Sequence, residues 1–292
     1  MFVTRLISGI SLVIIALVTI LAGNGVLAVT LCLVSLIAYR ELTKACNVHT
    51  EDRKWNLLEL AGMALTVAYY VMLFITLYRA NENGDGVEAV YPVVMIAVVV
   101  GLILFLFIYV FAFPRYQAPQ IMAAMFSWLY APVLLSFIYL IREGFSDGNY
   151  LVWFVFLCSW GSDTCAYAVG VLIGKHKMTP KLSPKKSVEG AVGGVIGAAL
   201  LFVIYTHFVI NMYTDVSLPL LVAALLGAAG ALVSMVGDLA ASAIKRDHDI
   251  KDYGKLIPGH GGIMDRFDSV IIAAPLIFIG LVVIGSLSGA AL

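Results

Sequence analysis

Residues 218–244, LPLLVAALLGAAGALVSMVGDLAASAI, lead through KRDHDIKDYGKLIPGHGGIMDR (245–266) into FDSVIIAAPLIFIGLVVI (267–284). Two long apolar runs thus flank one dense charged segment. A helix needs roughly 20 mostly apolar residues to cross a bilayer, and both runs are of that order. Neither shows the alternation of a membrane strand, so both read as helices whose backbone polar groups are satisfied within the segment. The segment between them is not an ordinary linker. Lys245–Asp268 holds five basic and five acidic residues, ten of the chain's 36 charged side chains, together with His248 and His260. Charge runs are usually just solvated, but three features here point to chemistry. Pro258-Gly259-His260-Gly261-Gly262 is a tight glycine-rich turn whose amides can approach an anion. Asp265 and Asp268 follow at i, i+3, on one face of the next helix. That helix then enters the membrane carrying carboxylates, which costs free energy unless partners or a metal are present.

Outward from this stretch the same pattern repeats. The 292 residues are 62% hydrophobic and 12% charged, with a mean hydropathy of +0.99; soluble domains carry about 25% charged residues. Apolar runs lie at about Leu6–Ala22, Val26–Tyr39, Leu57–Tyr78, Val90–Phe113, Ile121–Ile141, Tyr150–Ile173, Ala191–Ile210, Leu218–Ile244 and Phe267–Ile284. The expected fold is an all-α integral membrane protein, a polytopic bundle of about nine transmembrane helices. The first two are close enough to form a tight helical hairpin. Although the N-terminus has the look of a signal peptide, a second apolar run follows at once, and it reads as a first membrane helix. Zero net charge gives no reason to expect nucleic acid as a partner. Cys32, Cys46, Cys158 and Cys165 have no metal-type spacing and read as packing residues.

Sixteen of the 18 Lys and Arg residues fall in alternate connections on one side, and Arg79 and Arg142 alone fall on the other. By the positive-inside rule the N-terminus is cytoplasmic, the C-terminus is outside, and segment 245–268 is cytoplasmic. Two regions are expected. Residues 1–149 supply about five structural, lipid-facing spans. Residues 150–292 form a catalytic membrane region of about four spans with two cytoplasmic loops, 174–190 and 245–268.

The polar residues of the second region are few and specific. Asp163 sits mid-run, and Asp163, Tyr167, Gly170 and Gly174 share one narrow helical face. The loop GKHKMTPKLSPKKSVEG (174–190) offers Lys181, Lys185, Lys186, Ser183 and Ser187 as donors for phosphate oxygens, with Glu189 beside the next span. Gly190, Gly194 and Ala198, and then Ala223, Gly227 and Ala231, make small-residue ridges suited to close helix packing. Asp238, Ser242 and Lys245 stack at i, i+4, i+7. Asp163, Asp238, Asp265 and Asp268 therefore form a candidate carboxylate cluster facing two basic loops. Hard oxygen donors suit Mg²⁺, which keeps one or two carboxylates and binds substrate phosphates, and basic side chains beside it suit phosphate charge. This chemistry points to phosphoryl or nucleotidyl transfer on a lipid. No Walker loop, no HExxH motif and no cysteine–histidine nucleophile pair is evident.

Ser242-x-x-Lys245-Arg246, Lys251-Asp252 and Pro258-x-His260-Gly261-Gly262-x-x-Asp265-Arg266-x-Asp268 together resemble the signature of the phosphatidate cytidylyltransferase (CDP-diacylglycerol synthase) family. Ser162-Asp163-Thr164-x-Ala166-Tyr167, Leu182-Ser183-Pro184-Lys185-Lys186-x-x-Glu189-Gly190 and Gly237-Asp238-Leu239 resemble further segments of it. The likeness is specific over about Trp160–Asp268. It implies transfer of the cytidylyl group of CTP to phosphatidic acid, giving CDP-diacylglycerol and pyrophosphate for phospholipid biosynthesis. The expected setting is a bacterial cytoplasmic membrane, with the active site on the cytoplasmic side. Mg²⁺ is the implied cofactor, with a second cation, monovalent or divalent, left open; a homodimer is compatible with the glycine-lined helices.

On that basis Asp238 and Asp265 are expected to bind metal, with Asp268 and Asp163 as ligands or as partners of ligands. Lys245, Arg246, Arg266, Lys185 and Lys186 are expected to hold phosphates, and His260 to donate to the leaving pyrophosphate. Ser183, Glu189, Ser242, Lys251, Asp252, Gly261 and Gly262 complete the expected substrate-binding set. A transferase acting on a polyprenol or an ether lipid, and an ion-coupled transporter using Asp163 and Asp238, are the alternatives.

Overall fold

A computed structural model describes residues 2–48, 56–84, 86–214, 216–259 and 261–288. His260, Arg53 and Lys54 lie outside the described residues. The helices are α1 (Phe2–Ala22), α2 (Asn24–Ala45), α3 (Leu57–Asn83), α4 (Val87–Phe111), α5 (Ala118–Gly144), α6 (Gly148–Ile173), α7 (Val188–Tyr213), α8 (Leu220–Asp247) and α9 (Met264–Ser288). Among the described residues eight helices, α2 to α9, are long and apolar enough to cross a membrane, and α1 contributes a shorter apolar stretch, Ser8–Ala22. The chain is a polytopic, all-α membrane protein. Large apolar side chains such as Leu172 and Phe111 are exposed on the helix surfaces, as lipid-facing positions require.

Gly23 alone separates α1 from α2, at φ 61. That left-handed backbone is open to glycine at little cost, which is why two helices join with a one-residue break. α2 also runs further than its apolar pattern, to Ala45 rather than Tyr39. Hydropathy stops at Arg40, but Arg40, Glu41, Leu42 and Lys44 are good helix formers, so the backbone continues. The extra turns carry Glu41 beyond the apolar run.

By its internal contacts the chain divides into two compact units. One comprises Met1–Tyr139 together with Asp247–Arg266; the other comprises Leu140–Arg246 and Phe267–Leu292. The charged segment 247–266 therefore belongs with the N-terminal helices.

In the first unit the core is aromatic and hydrogen-bonded. The Tyr39 hydroxyl donates to Leu58 O at 3.1 Å, Ser35 and Tyr70 share a hydrogen bond of 2.8 Å, and Tyr69 and Ser136 share another of 2.8 Å. The edge of Tyr69 meets Trp128 with ring centroids 6.0 Å apart. Gly62 admits this arrangement, because a Cβ there would collide with the Tyr39 ring. Asn56 caps α3, accepting from Glu59 N at 2.7 Å while donating to Val48 O at 2.7 Å.

The second unit is built on close helix approach. A Cβ at Gly194 would lie 3.0 Å from both Ala166 Cβ and Ser162 O, and one at Gly197 would strike Cys165. Gly227 is packed against Phe202 in the same way. Both small-residue ridges read in the sequence are thus spent on packing inside the chain. The loop before α7, read only as basic, forms a hairpin: β1 (Lys177–Thr179) pairs antiparallel with β2 (Ser183–Ser187), Lys177 opposite Ser187 and Thr179 opposite Ser183.

Candidate active site

Two clusters of candidate side chains emerge, one in each unit. The cluster of the second unit centres on Asp238. It lies on α8 four residues before Ser242, and the spacing brings Ser242 Oγ to within 3.4 Å of Asp238 Oδ1. Asp238 Oδ2 forms an ion pair with Lys186 Nζ, from β2 of the hairpin. Both side chains are about three-quarters covered, so each offsets the desolvation of the other. The hairpin is held in place by Ser187, which caps α7 by accepting from Gly190 N at 3.1 Å, and by Glu189. The Glu189 carboxylate bonds His176 Nδ1 at 2.6 Å and accepts from the amides of Lys175 and His176 at 3.1–3.2 Å. Glu189, one of the expected substrate-binding residues, thereby closes the loop on itself.

Asp268 belongs to the same unit. It is buried, and its Oδ1 accepts from Ser269 N at 2.8 Å. α8 and α9 meet tightly beside it: a Cβ at Gly237 would lie 2.7 Å from Asp268 O. The charges of Asp238, Lys245 and Asp163 all act on the Asp268 carboxylate. Among the described residues no three His, Cys, Asp or Glu side chains converge into a ready-made metal cage. Mg²⁺ does not ask for one, since it commonly takes one or two carboxylates and completes its shell with water and phosphate. The oxygen donors of Asp238 and Asp268, with basic residues close by, fit that ion.

A cavity of about 480 Å³ opens between α6, α7 and the hairpin, with Asp163, Tyr167, Lys177, Lys185 and Lys186 in its wall. Ser183, at the start of β2, is half-buried and pairs with Thr179. Arg246 is exposed in the last turn of α8, where a cation suits the helix C-terminus.

The cluster of the first unit is the glycine turn. Ile257 N donates to Gly261 O at 2.8 Å and closes it, and Gly259 and Gly261 take φ of 77 and 89. One amide of the turn, that of Gly262, faces an anion built into the chain. Asp265 Oδ2 accepts from Tyr253 N at 2.8 Å and Gly262 N at 2.9 Å. Glu41, from α2, accepts from Ile263 N at 3.2 Å and Met264 N at 2.8 Å. Gly254 and Gly262 make room for it, since a Cβ at either would collide with the Glu41 carboxylate. Two carboxylates therefore satisfy four amides of the loop and of the first turn of α9. Lys251, Asp252, Gly261 and Arg266 line a second cavity, about 560 Å³, along with Lys255.

Glu41 is the residue of this cluster that the sequence reading missed. Its signal was weak: a lone acid between Arg40 and Leu42, just past an apolar run, in the half of the chain given no chemistry. Nothing local ties it to residues more than 220 positions later.

The cytidylyltransferase family matches residues 3–284. A phosphatidate cytidylyltransferase of Staphylococcus haemolyticus is 32% identical over 278 residues, covering 95% of this chain and 98% of the relative. One from Staphylococcus epidermidis is 31% identical over the same length and coverage. One from Haemophilus influenzae is 42% identical over 129 residues, 44% of each chain.

Proposed function

Because the chain belongs to the cytidylyltransferase family, we propose that it transfers the cytidylyl group of CTP to phosphatidic acid, making CDP-diacylglycerol and pyrophosphate. A lipid phosphate oxygen attacks the α-phosphorus of CTP in line. The bond from that phosphorus to the bridging oxygen of the β-phosphate breaks, and pyrophosphate leaves. No covalent enzyme intermediate is needed.

The observation that carries this reading is the Lys186–Asp238 pair. It fixes an acid on a membrane helix against a base on a lysine-rich hairpin, which is what a lipid phosphate and a metal ion would require side by side. Asp238 and Asp268 are the carboxylates that would hold Mg²⁺. Bound there, the ion would neutralise charge building on the phosphates. Lys245, Arg246 and Lys185 screen the remaining phosphate charge, and Lys186 holds the Asp238 carboxylate in place. Asp265 acts in our reading through the loop amides it holds, keeping Arg266, Lys251 and Lys255 around their cavity. His260 is assigned to the leaving pyrophosphate from its place in the motif.

The distribution of Lys and Arg supports a cytoplasmic N-terminus and a cytoplasmic active side in a bacterial membrane. CTP is made in that compartment.

The test is turnover by purified protein in detergent or bilayer with phosphatidic acid, Mg²⁺ and α-labelled CTP. Label should enter the lipid, cease on chelation, and return with Mg²⁺. Well-folded protein that labels no lipid would overturn the proposal, and labelling of a polyprenol or ether lipid in its place would redirect it.

A further inference from the structure

The two cavities differ in character. The cavity of the loop 251–266 is lined by Lys251, Asp252, Lys255, Arg266 and the backbone of the glycine turn, with Ile257 and Pro258 as its main apolar contribution. The cavity of the second unit is amphipathic. Its wall carries Lys177, Lys185 and Lys186 from the hairpin, and Tyr167, Val171, Met178 and Met235 from apolar elements. Tyr167 and Val171 are 75% and 67% exposed on α6, so this cavity opens onto a helix face that meets lipid.

Resting on the function proposed above, we infer that the cavity between α6, α7 and the hairpin is the phosphatidic acid site. Lys177 and Lys185 hold the phosphate monoester, and an acyl chain lies along Tyr167 and Val171. An amphiphile needs a cationic end and an apolar exit in one continuous space, and a nucleotide triphosphate gains nothing from the apolar part. Lys186 is engaged by Asp238, so the phosphate falls to the other two lysines. The pairing of Lys177 with Ser187 holds Lys177 beside the start of α7. Asp163, ten residues before the end of α6, also lines the cavity.

The reading makes Lys177 a specificity residue for the lipid, outside the segments that carried the family resemblance. Two measurements on the full chain test it. In mixed micelles, Lys177→Ala should raise the half-saturating mole fraction of phosphatidic acid about ten-fold, the loss of one charge-assisted phosphate contact. It should leave the KM for CTP within two-fold, and Lys177→Arg should restore the lipid value. Lys255→Ala, in the loop cavity, should leave the lipid value within two-fold. A rise in the CTP KM for Lys177→Ala, or equal rises in both constants, would overturn the assignment.

The second measurement does not depend on turnover. Phosphatidic acid with a photoreactive group in one acyl chain should label peptides within 162–191, with excess unlabelled phosphatidic acid competing and phosphatidylcholine not. Labelling in that place by a protein that forms no CDP-diacylglycerol would retain the site and sink the reaction. CDP-diacylglycerol formed with labelling elsewhere, or labelling displaced equally by phosphatidylcholine, would retain the reaction and sink the site.

Discussion

Glu41 Oε2 accepts the amide of Met264 at 2.8 Å across 223 positions of sequence, and the same carboxylate takes Ile263 N at 3.2 Å. An acid near the end of the second helix thus fixes where the last helix begins. Glu41→Ala leaves two largely buried amides without their acceptor, each costing about 1–3 kcal/mol locally. Turnover should fall at least ten-fold, and limited proteolysis should cut within 251–262 faster than in the parent. Glu41→Gln keeps an acceptor oxygen and should recover part of both. Equal proteolysis of parent and Glu41→Ala would show that the contact does not brace the loop.

Asp265 and Asp268 are three residues apart, yet they have different partners. Asp265 accepts two loop amides; Asp268 is buried under the charges of Asp238, Lys245 and Asp163. Asp268→Asn should therefore raise the Mg²⁺ concentration for half-maximal activity at least ten-fold. Asp265→Asn, which retains an acceptor oxygen, should lower turnover with little change in that concentration. Magnesium titrations of the two variants decide it, and a large Mg²⁺ shift for Asp265→Asn would make Asp265 the metal ligand.

The Lys186–Asp238 pair predicts non-additive loss. Lys186→Met leaves Asp238 as a partly covered charge without its cation, and Asp238→Asn does the converse. In thermal unfolding of detergent-solubilised protein, the double variant should be more stable than the sum of the single losses predicts, by roughly 1 kcal/mol or more. Additive losses would mean that the two charges do not work as a pair.

Glycines of the second unit are packing residues. Gly194→Val places side-chain atoms where a Cβ alone already stands 3.0 Å from Ala166 and Ser162, and overpacking of this kind costs about 1–3 kcal/mol. Its unfolding temperature should drop by several degrees. Gly86→Ala, with nothing within 4 Å of the added Cβ, should leave it unchanged.

The apolar runs by themselves determined the fold class, because a bilayer dictates span length and forbids unsatisfied backbone. The charged motifs, placed at fixed spacing along helices, likewise marked Asp238 with Ser242 and the lysines of loop 174–190, since i, i+4 neighbours meet whatever the rest of the chain does. What sequence could not settle was long-range. That Lys186 pairs with Asp238, that Glu189 staples its own hairpin, and that Glu41 braces the glycine turn depend on where distant segments come to rest. A carboxylate carries no local mark of which amide or cation it will find, because hydrogen bonds and ion pairs are short-ranged. Only the packed helices brought those partners within reach.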